Sequence, residues 1–176
     1  MTERRDKLAE LVAMEVWKRY DDAVQMFEKA VEMSPKDEQL MGNLADSYRW
    51  SSHSQQAAAT YDKAIGLAYQ QLQVNPRAAS VMGDLALYYA KKGDTAHAEQ
   101  YSRQAREIDP SDSQLIYDQV QVKTLAGKPD EALVALKEAF EKGYSPEEAQ
   151  NDPELAKLKG LPEFGKLVSE YAKKAP

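Results

Sequence analysis

Residues 41–65 read MGNLADSYRWSSHSQQAAATYDKAI, and this stretch decides the fold. Met41, Leu44, Ala45 and Tyr48 fall three and four residues apart, the spacing of one face of an α-helix. Ala57, Tyr61, Ala64 and Ile65 mark a second helix with the same spacing. Two alanines seven residues apart lie about two turns apart on one face. They let a neighbouring helix approach closely, and the larger residue between them fills the gap. The pattern recurs outward in both directions. Alanines at 23, 57, 98 and 132 are separated by 34, 41 and 34 residues, and each is followed seven residues later by Ala30, Ala64, Ala105 or Ala139. Phe27, Tyr61, Ser102 and Leu136 stand between the members of each pair. A period near 34 is the mark of stacked helical hairpins.

Four helix-turn-helix units follow from this phasing, at about residues 4–37, 38–78, 79–112 and 113–143. In the third, Met82, Leu85, Ala86 and Tyr89 repeat the first-helix stripe, and Gly93-Asp94 stops one helix and starts the next. In the fourth, Ile116, Val120 and Leu125 precede Gly127 and Pro129, a helix stop followed by proline in the next first turn. The second unit is longer than the others. Twelve residues separate Ala64 from Pro76, where five separate Ala30 from Pro35 and Ala105 from Pro110. The seven extra residues contain no helix breaker and add about two turns, roughly 10 Å, without rotating the apolar face. One helix from about Ser54 to Val74, protruding past its neighbours, is predicted. Residues 144–176 form a C-terminal helical cap. Ser145-Pro146, Asp152-Pro153 and Leu161-Pro162 each open a short helix, and Phe164, Leu167, Val168 and Tyr171 line the last one.

These stripes resemble the tetratricopeptide repeat, whose first helix carries large, leucine, small and tyrosine positions and whose second carries alanine, aromatic, alanine and proline. Met41, Leu44, Ala45, Tyr48, Ala57, Tyr61 and Ala64 match that order, and the resemblance spans roughly residues 4 to 143. It implies an all-α, right-handed α–α superhelix that serves as a protein-interaction scaffold. Some positions depart from it. The first helix of unit one has no matching leucine and tyrosine. Gln119 and Lys123 stand for the leucine and tyrosine of unit four, and Ser102 for an aromatic, so looser packing is expected there. The run from Gly143-Tyr144-Ser145-Pro146 to Pro162-Glu163-Phe164 looks like the tail of repeat regions in bacterial signalling proteins, among them kinases, cyclases and regulators. Their catalytic motifs do not occur in this sequence, so a regulatory or oligomerisation segment of such a protein is the alternative to a free-standing scaffold.

Catalysis finds little material. The chain has no cysteine and two histidines, His53 and His97, placed at the turns of different units. No phosphate loop, nucleophile elbow or metalloprotease helix motif is present. Neither an enzyme nor a cofactor or metal is expected. The acids Asp21, Asp22, Glu99, Glu147 and Glu148 fall in first turns, where they complement the helix dipole. The net charge of −6 argues against a nucleic-acid partner, and no apolar run reaches membrane-spanning length. With no apolar leader at its start, the chain reads as cytoplasmic, or as a soluble module of a larger protein.

Binding should fall on the concave face lined by the first helices. The resemblance places Gln39, Asn43, Asp46, Arg49 and Trp50 there from unit two. Unit three adds Asp84, Leu87 and Lys91, and unit four Gln114, Tyr117, Asp118 and Gln121. Gly42 and Gly83, each just before a groove position, are expected to leave room for a ligand backbone. Some tetratricopeptide modules clamp acidic C-termini with lysine, asparagine and arginine. Asn43 matches the clamp's asparagine, but Ser80 and Asp84 stand where cations would be needed. The partner is therefore expected to be a neutral or basic protein or peptide segment. Leu8, Leu11, Val12, Met14, Val16 and Trp17 wrap more than one face of the first helix, which raises a homodimer through that helix.

Overall fold

The computed structural model describes residues 19–173. Among these every regular element is helical. Helix α1 covers residues 19–33 of the described chain. It is followed by α2 (Glu38–Trp50), α3 (Ser54–Val74), α4 (Ala79–Lys91), α5 (Thr95–Ile108), α6 (Ser113–Leu125) and α7 (Pro129–Glu141). Shorter pieces close the chain: α8 (Pro146–Asn151), a 3-10 turn (Pro153–Leu155), α9 (Ala156–Lys159) and α10 (Pro162–Ala172). The apolar first helix expected to support a homodimer lies outside the described residues. The chain divides into two compact units, Met1–Gln70 and Gln71–Pro176, so the boundary falls inside α3.

Helix α3 has the length that the unbroken sequence predicts. Its buried residues are Ala57, Thr60, Tyr61, Ala64, Ile65 and Ala68, and beyond them Tyr69 and Val74 are exposed. In the first unit Asp37 caps α2 by accepting from the Leu40 amide at 3.0 Å. The turn after α2 closes with Ser52 at a φ of 64°, the left-handed region, while the His53 amide donates to the Tyr48 carbonyl at 2.8 Å. The corresponding turns after α4 and α6 use Gly93 and Gly127 at φ 84° and 72°, where the absence of Cβ removes the steric cost.

The second unit is built from hairpins α4–α5 and α6–α7, with α6 packed on both α4 and α5. Asp94 and Asp112 cap α5 and α6, and Pro129 with Asp130 and Glu131 fills the first turn of α7. The recurring alanines sit at these contacts: Ala98, Ala105, Ala132 and Ala139 are at most 1% exposed. One core runs from Ile116 and Val120 of α6 through Leu136 and Phe140 of α7 to Leu155, Leu158, Phe164 and Val168. Each large aliphatic side chain buried there contributes about 1.5–3 kcal/mol. Helix α10 packs on α7, α8 and α9, so the C-terminal segments cover the apolar flank that α7 would otherwise leave open. Ser145 caps α8, and Asp152 caps the 3-10 turn by accepting from the Glu154 amide at 2.8 Å.

Candidate protein-interaction face

In the first unit the five candidate residues all lie on α2. Gln39 and Asn43 are exposed, whereas Asp46, Arg49 and Trp50 are half-buried. Asp46 accepts a hydrogen bond from the Tyr61 hydroxyl. Burial, and then the Asp46 charge, pushes that phenol far above its usual range, so it stays a donor at any physiological pH. The Arg49 guanidinium lies 4.5 Å from the Trp50 ring centroid, and Trp50 stacks on Tyr20 with centroids 5.9 Å apart.

The second unit brings the remaining candidates together on α4 and α6. Asp84 and Lys91 are half-buried on α4, and Leu87 packs beside Ala86 and Ala90. Gln114 is exposed and donates from Nε2 to Asp118 Oδ1 at 2.9 Å. Asp118 itself is 6% exposed. Burial pushes its carboxyl up to about 7; the Gln114 hydrogen bond opposes the rise and the nearby Asp84 charge adds to it.

Gly83 corrects the expectation of room for a ligand backbone. A Cβ there would sit 2.8 Å from Asp118 Oδ2 and 2.9 Å from Leu115 Cδ2, so α6 already fills the space. The glycine serves the close crossing of α4 and α6. Gly42 is likewise buried.

Tyr117 stands where the two preceding units have glycine, and it is 1% exposed. Its hydroxyl donates to Asp152 Oδ2 at 2.6 Å, and its ring stacks on Tyr144 with centroids 3.8 Å apart. Gln121 Nε2 donates to the same Asp152 oxygen at 2.7 Å. These two candidates join α6 to the C-terminal segment. Sequence periodicity does not single out Asp152 or Tyr144 as their partners; the only hint is a large residue at a small-residue position, which requires a pocket from elsewhere in the chain.

Each histidine has a local partner. His53 Nδ1 lies 2.8 Å from Ser51 Oγ, and His97 Nδ1 lies 2.7 Å from Asp94 Oδ2. Among the described residues no cluster of acids and histidines is arranged to hold a metal, and no helix is long and apolar enough to cross a membrane. Glu99 does more than complement a helix dipole: it bonds Lys123 at 2.9 Å and Lys128 at 2.6 Å, and those two ammonium groups hold its carboxyl below the usual range.

Helical hairpins with alanine at their crossings and a terminal helical cover define a helical-repeat protein. Family comparison agrees: tetratricopeptide-repeat models match residues 43–113 and residues 17–37, together just over half of the chain. The chain belongs to the tetratricopeptide-repeat family, whose members are in general protein–protein interaction scaffolds. No curated protein sequence matches it. Among solved structures it is similar to TTC0263, a thermophilic TPR protein of Thermus thermophilus, at 20% identity over 96% of this chain and 97% of that one, with a TM-score of 0.51. A MamA protein aligns at 16% identity over 81% of this chain and 94% of that chain, with a TM-score of 0.41. A second MamA structure, labelled AMB-1, aligns at 20% identity over 90% and 92%, with a TM-score of 0.45.

Proposed function

We propose that this chain is an interaction scaffold that receives a neutral or basic segment of a partner protein on the face formed by α4 and α6. The observation that carries the reading is the placement of Asp84 on α4 and Asp118 on α6 across one helix contact, where the Asp84 charge raises and the Lys91 charge lowers the Asp118 pKa. A lysine or arginine placed beside them relieves this repulsion, whereas a carboxylate adds to it. Leu87 supplies apolar contact, and Gln114 and Gln121, whose amide nitrogens donate to Asp118 and Asp152, offer their amide oxygens as acceptors. Fluorescence polarisation with acidic, neutral and basic peptide pools tests the reading. The basic pool is expected to bind most tightly, and Asp84→Ala should weaken it several-fold. Saturable binding confined to the acidic pool would overturn it.

A second reading, self-association within a larger signalling protein, is favoured by Met26 and Met33. These stand two turns apart on α1 and are 72% and 85% exposed. Light scattering coupled to gel filtration should then give a mass above 19.8 kDa that falls when both are changed to glutamine. A monomer at every loading concentration removes that reading.

A further inference from the structure

Three departures from the repeat pattern converge on one place. Ser102 occupies the aromatic position of α5, and Gln119 and Lys123 occupy the leucine and tyrosine positions of α6. The preceding repeats of the same chain carry Tyr61 at the first of these positions and Leu85 and Tyr89 at the others. Where the pattern would put apolar bulk, the structure has an open cleft of about 370 Å³ between α5 and α6, lined by Glu99, Ser102, Arg106, Gln119, Val122 and Lys123. A second hollow of about 320 Å³ adjoins it toward α7 and shares Gln119 and Lys123.

The polar groups of the cleft are not all satisfied. Arg106 spends its two terminal nitrogens on Gln119 Oε1 at 3.2 Å and Glu138 Oε1 at 2.7 Å. Its Nε–H is buried and, among the described residues, has no partner. The Ser102 hydroxyl, on a residue only 4% exposed, has none either. The two residues are one helical turn apart on α5 and face the same cleft. Buried donors without acceptors cost about 1–3 kcal/mol each, which a ligand can return. The missing partner must supply acceptor atoms, because a guanidinium only donates.

Charge sets the class of acceptor. Arg103, Arg106 and Lys123 outnumber Glu99 and Glu107 on the cleft wall. Glu99 and Lys123 pair with one another, Glu99 also with Lys128 and Lys123 also with Glu131, which leaves Arg103 and Arg106 facing Glu107. The volume lies at the lower end of the range for small-molecule sites, roughly 300–1,000 Å³.

We propose that the cleft between α5 and α6 is a carboxylate-binding site in which Ser102 Oγ–H and Arg106 Nε–H hold the carboxylate oxygens. The site is separate from the α4–α6 face and does not depend on the reading given to that face. The carboxylate belongs either to a free small acid or to an acidic end of a polypeptide.

Titration of the isotopically labelled full chain, followed by two-dimensional amide NMR at constant ionic strength, tests the proposal. The probes are acetate, its neutral counterpart acetamide, and a short peptide ending in a free glutamate. Acetate should give saturable shifts at the amides of residues 102–106 and 119–123, with acetamide at least tenfold weaker. Peptide affinity at least tenfold above that of acetate assigns the site to a polypeptide end; a smaller ratio assigns it to a free acid. Ser102→Ala should weaken acetate at least fivefold. The triple variant Ser102→Phe, Gln119→Leu, Lys123→Tyr fills the cleft with the repeat's own residues and leaves Glu99 its bond to Lys128. It should unfold no lower than the wild type and lose the acetate response. The proposal fails if no probe saturates at these amides, if acetamide matches acetate, or if the filled variant still binds.

Discussion

Replacing Gly83 with valine is expected to cost about 2–3 kcal/mol of stability, read as a lower urea midpoint with an unchanged slope. A glycine inside a helix normally costs about 1 kcal/mol against alanine, so substitution should help if nothing else intervened. At Gly83 something does. The new Cβ would stand 2.8 Å from Asp118 Oδ2 and 2.9 Å from Leu115 Cδ2, and both side chains are buried. Leu115 has a flexible end, but Asp118 is short and is held by Gln114. Relief therefore requires α4 and α6 to move apart, which opens their shared core. Gly66 gives the internal control. It lies in α3, and a Cβ added there would meet nothing within 4 Å, so Gly66→Ala should stabilise by up to about 1 kcal/mol. A Gly83→Val variant as stable as the wild type would show that the α4–α6 crossing does not depend on the missing side chain.

The contrast between these two glycines marks what periodicity conveys. The spacing of Ala98, Ala105, Ala132 and Ala139 states which face of each helix is crossed, and all four are buried at those crossings. The seven residues added after Ala64 keep the helical phase, and α3 runs unbroken to Val74. Both follow from interactions within a few residues along the chain. What is not legible depends on residues that arrive from far along it. Gly83 reads in sequence as making space because its neighbour faces outward; the side chains that occupy the space come from α6. Tyr117 and Gln121 read as groove residues, and their partner Asp152 lies more than thirty positions away. Glu99 reads as a helix-dipole acid because Lys123 and Lys128 belong to another part of the chain. Ser52 carries a left-handed turn that its own identity does not announce, since glycine does that work after α4 and α6. The departures at Ser102, Gln119 and Lys123 are visible in sequence as weaker packing. Only the arrangement of α5, α6 and α7 shows that they meet.

Asp118→Asn should remove the loss of stability that the wild type shows as pH rises from about 4 to about 7. The aspartate carboxyl titrates near 3.8 when unfolded and near 7 when buried between α4 and α6. Between those values the folded chain binds the additional proton, so wild-type stability falls as pH rises from about 4 to about 7 and is level above. A shift of this size corresponds to roughly 4 kcal/mol, an upper figure to which any rearrangement around the ionised group is a correction. Asparagine has the same shape and keeps an oxygen to accept from Gln114, but it has no charge to bury. The variant should therefore match the wild type near pH 4 and exceed it by several kcal/mol near pH 8, measured by urea unfolding at each pH. Asp84, Lys91 and Asp112 are the charged groups that act on this carboxyl. Removing the Asp84 charge should lower the upper edge of the window, since that neighbour raises the Asp118 pKa. The same coupling links stability to the proposed partner. A cationic side chain docked beside Asp84 and Asp118 favours the ionised carboxylate, so binding of a basic peptide should release a proton near pH 6. Calorimetry in buffers of different ionisation enthalpy reads that proton directly, and its absence in wild type would separate Asp118 from the binding face while leaving its effect on folding intact.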